Sequence, residues 1–171
     1  MAKITLPQTT FKVIPEGEHI FCIYRVDYNE KFGKLNIYMV TADGHTHIER
    51  FSFLRHDGSN NDGAYNSFAH FAKTVMNDSS LSDVDPYLLK GKYLKGVIEH
   101  NIVPKRDNPE ETITFTKIAN KYSATGFDKT PCEKAVRLCT ETELKAKPVK
   151  ETKKETKEES PKAFNLDDIL N

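Results

Sequence analysis

The chain has 171 residues, enough for one domain of ordinary size and too few for two comfortable cores. Its 25 basic and 25 acidic residues give a formal net charge of zero, which argues against a protein that binds polyanions by bulk charge alone. A hydrophobic fraction of 37% beside a charged fraction of 29% indicates that part of the chain buries little.

The N-terminus and the cysteines indicate a reducing cytoplasm. Residues 1–8 lack the apolar core of a secretory signal, and Cys22, Cys132 and Cys139 are an odd number at unrelated spacings. No run approaches the roughly 18 apolar residues that a membrane span requires. We therefore expect a soluble cytoplasmic protein that does not use a membrane.

Two strands are predicted first along the chain. Residues 18–28 are dense in β-branched and aromatic residues and contain no Gly or Pro, which is typical of a long strand. After a turn around Gly33, residues 35–42 alternate apolar and polar side chains, the pattern of a strand with one buried face.

A third strand is predicted at residues 46–54, joined to the second by a tight hairpin at Asp43-Gly44. Within it, Ile48 is out of phase with the phenylalanines at 51 and 53. A bulge near 49–50 would turn all three inward, so we predict a bulge there.

One helix and two further strands complete the predicted domain. Apolar residues recur at helical spacing over 64–76, and β patterns follow at 87–103 and 112–125. Three strands, a helix and two strands is the order of the oligonucleotide-binding (OB) fold. We therefore predict a mainly β protein, a five-stranded OB-fold barrel with one helix between strands 3 and 4.

In the C-terminal part of the chain, the sequence predicts a flexible linker followed by a short tip. The OB domain is assigned to residues 1–129 and a flexible charged linker to 130–163, where KETKKETKEESPK has almost no apolar content. Such a segment gains too little burial to offset its ordering entropy, so we predict a disordered tail. Within this linker, residues 131–148 leave a short helix open as an alternative. Residues 164–171, FNLDDILN, form an acidic and apolar tip.

The domain resembles phage-encoded single-stranded DNA-binding proteins with an OB fold. The resemblance covers about residues 10–125. It lies in Glu16-Gly17 before the first strand, the hairpin of strands 2 and 3, the aromatic helix, and DPYLLKGKYLKGVIE at 85–99. It implies a protein that binds single-stranded DNA during phage or prophage replication or recombination, in the cytoplasm of a bacterial host cell.

The tip resembles the acidic tail ends of bacterial and phage single-strand binders, which dock onto replication and repair partners. It differs in having two acids and in ending with Asn171 where the bacterial pattern ends in proline and phenylalanine. The resemblance implies that replication or recombination proteins bind here. The matching residues are Phe164, Leu166, Asp167, Asp168, Ile169 and Leu170.

Sequence-tolerant binding of a single strand needs aromatic faces for base stacking and cations along the backbone. In the OB fold the loops between strands 1 and 2 and between strands 4 and 5 border the groove, so we expect these loops and the strand 2–3 hairpin to converge. Tyr38 alternates away from the apolar residues of its strand, which leaves a stacking role and an exposed edge tyrosine as alternatives. The predicted DNA-binding residues are Arg25, Tyr28, Lys31, Phe32, Lys34, Tyr38, Arg50, Arg55, Lys92, Lys95, Lys105 and Arg106.

Enzyme chemistry is not expected. His45 and His47 form a His-x-His pair, but no CxxC, HExxH or carboxylate cluster accompanies them, and no phosphate loop, dinucleotide motif or GxSxG is present. We expect no catalytic residues, no metal site and no cofactor. The alternative function is an OB-fold protein-interaction module of a replication or recombination complex without significant DNA affinity, which the neutral charge favours.

Overall fold

A computed structural model describes residues 13–146, which form one antiparallel five-stranded sheet with two helices. The sheet order is β3-β2-β1-β4-β5, so the fold is mainly β as predicted. Within these residues no helix is both long and apolar enough to cross a membrane. The elements are β1 (Gly17–Asn29), β2 (Lys34–Thr41), β3 (Thr46–Ser52), α1 (Asp62–Met76), β4 (Tyr93–Pro104), β5 (Thr112–Ser123) and α2 (Thr130–Ala146).

The sheet is open between its two edge strands. In the described residues β3 pairs with β2 and β5 pairs with β4, and no ladder joins β3 to β5. The edges nevertheless approach each other, because Lys121 Nζ of β5 lies 3.3 Å from Glu49 Oε1 of β3. The predicted five-stranded barrel is therefore not closed by a ladder of hydrogen bonds, and side chains bridge the seam of the sheet instead.

The first helix follows β3 and packs against β3, β4 and β5. It does not separate β3 from β4 in space, since β2 and β1 lie between those strands in the sheet. The helix thus follows strand 3 and precedes strand 4 along the chain, as the predicted order of elements has it, but in the sheet it does not lie between those two strands. Instead α1 lies near the open seam, where Ser123 Oγ of β5 donates to the carbonyl of Thr74 at 2.8 Å.

The main core lies between the inner side of the sheet and α1. The alternation predicted for strand 2 is confirmed, since Leu35, Ile37 and Met39 are fully buried. Asn61 caps the start of α1 by accepting a hydrogen bond from the backbone of Ala64. The buried face of this helix consists of Phe71, Ala72 and Val75.

The bulge predicted near residues 49–50 is absent from β3. Pairing of β2 with β3 runs without a shift from Lys34 opposite Ser52 to Val40 opposite Thr46. Ile48 therefore points outward, opposite Tyr38.

The irregularity lies in β1, where the register shifts between Ile23 and Arg25. Tyr24 packs with the outer cluster around Cys22, and Arg25 stands opposite the outward Tyr38. The bulge thus places two consecutive side chains, Tyr24 and Arg25, on the outer side of the sheet.

Strand β4 begins later than predicted. Residues 86–89 form a 3₁₀ turn, because the side chain of Asp85 accepts a hydrogen bond from the backbone of Tyr87 at 3.0 Å and Pro86 occupies the first turn. The strand itself starts at Tyr93.

The second helix covers the outer side of β1 and β2. Cys132 and Ala135 of α2 are buried against Cys22 and Val40. Residues 130–146, predicted as the first half of a flexible linker, are thus part of the folded domain. The rest of that linker and the tip at 164–171 lie outside the described residues.

Candidate nucleic-acid interface

The side of β1, β2 and β3 that points away from the core carries polar and aromatic residues. Opposite residues on antiparallel strands point to the same side, so Tyr38 shares its side with Arg25 and Ile48. Arg50 pairs with Asn36 one step further along the strands, and Lys34 follows on β2. We call this surface the outer strand face, defined by Arg25, Lys34, Asn36, Tyr38, Ile48 and Arg50.

Arg25 is held in place from three sides. Its guanidinium carbon lies 3.6 Å from the centroid of the Tyr38 ring, a cation–π stack. Its nitrogens lie 2.8 Å from Asp27 Oδ2 and 2.8 Å from Glu143 Oε2 of α2. Burial acts to lower the pKa of Arg25, but these carboxylates outweigh burial and raise it. The predicted DNA-binding arginine is therefore neutralised by two acids.

The carboxylate of Glu143 also contacts Tyr24. The Tyr24 hydroxyl donates to Glu143 Oε1 at 3.4 Å. Burial, together with the negative charge of Glu143, raises the pKa of Tyr24 well above its usual range, so the hydroxyl stays protonated. The acid of α2 thus joins two neighbouring side chains of the β1 bulge.

The β1–β2 turn and the loop after β3 adjoin, and we call them together the loop end. Gly33 has φ +57°, and its carbonyl accepts a hydrogen bond from the backbone of Phe53 at 2.7 Å. A Cβ on Gly33 would lie 2.7 Å from Leu54 Cγ, so the two loops touch at this glycine. The loop end comprises residues 30–33 and 54–60, with Lys31 and Phe32 in the first loop and Arg55 in the second.

Phe32 is the most exposed aromatic residue among the predicted stacking positions. It is 57% exposed, and Lys31 Nζ lies 5.5 Å from its ring centroid. Its backbone N–H donates to Asn29 Oδ1 at 3.3 Å, which fixes the turn. The ring is therefore presented to solvent by an ordered backbone.

Tyr28 is less available than predicted. Its ring packs on the core in a T-shaped contact with Phe53, with 6.1 Å between centroids, and burial raises the pKa of its hydroxyl. Its carbonyl accepts a hydrogen bond from the Tyr87 hydroxyl at 3.5 Å. Tyr87, which is 53% exposed, is an aromatic neighbour that sequence reasoning missed.

Four predicted cations gather on the outer strand face and at the loop end. Within residues 13–146 none of them makes an ion pair, so their charges are available to a ligand. They are Lys31, Lys34, Arg50 and Arg55.

The other predicted cations lie elsewhere. Lys95 is bound by Glu18 at 2.8 Å, and Lys105 is bound by Glu111. Lys92 stands just before β4, where its carbonyl accepts from the backbone of Ile23, and Arg106 lies in the β4–β5 loop. These four residues are not brought together with the loop end.

The expected convergence of the two loops disagrees with the strand register. The pairing of Gly17 with Ile98 puts the start of β1 beside the middle of β4, so the β4–β5 loop lies beyond that start. The β1–β2 loop lies beyond the other end of the same strand. The two loops therefore extend from opposite ends of β1.

Beyond Ile98, β4 and β5 pair only with each other in the described part of the chain, and we call residues 99–117 the β4–β5 arm. His100 anchors its base by donating from Nε2 to the carbonyl of Ile14 at 2.7 Å. The arm exposes large apolar side chains that the sequence analysis did not select, namely Ile102, Ile113 and Phe115.

A groove of about 490 Å³ lies between α2 and the β2–β3 hairpin. Its lining is mainly apolar and includes Tyr24, Gly44, Leu138 and Cys139, with Glu143 at its border. The helix therefore does not pack tightly against the hairpin.

The thiols and histidines do not assemble a reactive centre in the described residues. Burial raises the pKa of Cys22 to about 11, so this thiol is protonated and a poor nucleophile. No three His, Cys, Asp or Glu side chains of residues 13–146 are grouped as a metal would require. His47 instead lies 3.9 Å from Glu49 near the seam.

No family model matches the chain, and a comparison with curated proteins also finds no match.

Proposed function

We propose that this chain is an OB-fold single-stranded DNA-binding protein of phage or prophage replication or recombination, acting in the cytoplasm of a bacterial host and without catalytic activity. The strand order supports this, because β1 pairs with both β2 and β4 while β3 and β5 approach across a seam. The OB fold is itself a partly open barrel that binds oligonucleotides on its strand 2–3 face.

One observation carries the proposal. Four cations without ion partners in the described residues stand on the outer strand face and the adjoining loop end, next to the exposed ring of Phe32. Sequence-tolerant binding of a single strand needs cations along the phosphate backbone and an aromatic ring that stacks on a base. The zero net charge of the chain does not oppose this, since the charge is local.

The direct test is fluorescence anisotropy with labelled oligothymidine at low salt, followed by a salt titration. Each phosphate neutralised on a single strand contributes about −0.7 to the slope of log K against log salt, so four cations give a slope of about −3. A DNA duplex of equal length is the control and should bind more weakly. An unchanged anisotropy with oligothymidine would contradict the proposal.

A second candidate is the OB-fold protein-interaction module without significant DNA affinity. The apolar groove beside α2 favours it, because an apolar surface suits a protein more than a phosphate backbone. In either case we propose that the tip at 164–171 binds replication or recombination proteins. The anisotropy measurement separates the two candidates, since the module should give no signal with oligothymidine at any salt concentration.

A further inference from the structure

Glu143 places a carboxylate on the outer strand face from the last turns of α2. Its two oxygens contact Arg25 at 2.8 Å and the Tyr24 hydroxyl at 3.4 Å. A carboxylate and a phosphate both offer oxygen acceptors that match a guanidinium. Glu143 therefore occupies the position in front of Arg25 that a backbone phosphate of a bound strand would take.

The partners of this carboxylate are already positioned for a nucleotide. The guanidinium carbon of Arg25 lies 3.6 Å from the centroid of the Tyr38 ring, and Asp27 holds the guanidinium from another side. The rings of Tyr24 and Tyr38 stand with their centroids 6.3 Å apart. An anchored arginine beside a pair of tyrosines combines a phosphate contact with aromatic surface for a base.

The C-terminal half of α2 buries few apolar side chains against the sheet. Its buried residues, Cys132 and Ala135, lie in the first half, whereas Leu138 and Leu144 are 63% and 69% exposed. The groove of about 490 Å³ runs along both halves of α2 beside the β2–β3 hairpin, and in this half it is lined by Leu138, Cys139, Thr142 and Glu143. Segments with few buried apolar contacts open at low free-energy cost, so this half is the part of α2 that can lift.

We propose that Arg25 and Tyr38 form a nucleotide subsite that Glu143 occupies in the free protein, and that single-stranded DNA displaces the C-terminal half of α2 to reach it. This inference rests on the proposed function and states how that binding site is regulated. A phosphate takes the place of the carboxylate on Arg25, and no covalent step is involved.

The test compares Glu143→Gln with Glu141→Gln in the full chain, by anisotropy with oligothymidine. Both variants change the net charge equally, but Glu141 is two residues away on α2 and so points to a different side of the helix. An ion pair of this kind is worth a modest amount, so Glu143→Gln should bind about two- to five-fold more tightly than the wild type. Glu141→Gln should differ from the wild type by less.

Hydrogen exchange of the wild type, with and without oligothymidine, gives a second readout. Amides of residues 138–146 should exchange faster when the strand is bound. If the wild type binds DNA but the two variants have equal affinity, or if these amides are not exposed, the displacement is disproved while the proposed function stands. Absence of binding in the wild type and in both variants would disprove both.

Discussion

On the outer strand face beside the loop end, Lys34 and Arg50 have no acidic partner among the described residues, whereas Lys95 and Lys105 on β4 and its arm are each bound by a glutamate. Both regions carry exposed phenylalanine, so composition alone does not distinguish them. An exposed cation that is already paired must give up its partner before it binds a phosphate. The two regions therefore differ in the charge that is available to a ligand, and not in the kinds of residue that they expose.

The largest expected effect comes from removing two cations of the outer strand face. The double variant Lys34→Ala/Arg50→Ala should lose about 3 kcal/mol of oligothymidine binding, since hydrogen bonds to charged groups contribute roughly 1.5–3 kcal/mol each. The slope of log K against log salt should also become shallower by the contribution of about two phosphate contacts. The matched control Lys95→Ala/Lys105→Ala, which removes two cations that are each bound by a glutamate, should bind nearly as the wild type does in the same anisotropy titration. Equal losses in both variants would remove the distinction between the two regions.

A somewhat smaller effect is expected from the exposed rings. Phe32→Ala should weaken oligothymidine binding by about 2 kcal/mol, because stacking on one base is worth roughly 1–3 kcal/mol. Phe115→Ala removes a ring of similar exposure from the arm, 53% against 57%, and should leave the affinity unchanged. If Phe115→Ala were the weaker binder of the two, the interface would have to be moved to the arm.

The smallest of these effects concerns the contact between the two loops of the loop end. Gly33→Ala should destabilise the fold more than Gly44→Ala, although both glycines have positive φ. The space beside Gly44 is open, whereas a Cβ on Gly33 collides with Leu54. Overpacking of this kind costs at least about 1 kcal/mol beyond the backbone strain that both variants share. Urea unfolding measures the difference, and equal midpoints would show that the two loops are not fixed against each other.

Much of the fold was readable from the sequence because strong local signals coincide. The density of β-branched residues in β1, the alternation in β2 and the apolar spacing of α1 each predicted the right element. Strand 4 was predicted too early because Leu88 and Leu89 continue an apolar run. The Asp85 cap and Pro86 instead impose a 3₁₀ turn on this run.

The second helix was assigned to the flexible linker, with a short helix only as an alternative, because its local signal is weak. Its buried side is made of small residues such as Cys132 and Ala135, which give a weak periodic signal, and strongly charged sequence follows it. The bulge was assigned to β3 because Ile48 was assumed to be inward. Periodicity alone does not show that Ile48 packs outward beside Tyr38 while the bulge falls at Tyr24.

The candidate interface was predicted in part. The cations around Lys34 and the ring of Phe32 were found because cations and aromatic residues near a predicted loop are visible in any sequence. The pairing of Arg25 with Glu143 was not, because it joins β1 to a helix more than a hundred residues later. Tyr87 was missed since its exposure depends on the turn at 86–89.

The contact between Tyr24 and Glu143 joins residues 119 positions apart, nearly the first and last ordered parts of the described domain. During synthesis, β1 to β5 leave the ribosome before α2 does, so Arg25 has no access to Glu143 until almost all of the described domain has emerged. Contacts of high sequence separation also form late, since a long loop must close first. Arg25 is therefore made without its α2 partner and acquires Glu143 last, so a chain that ends at residue 129 presents Arg25 without Glu143.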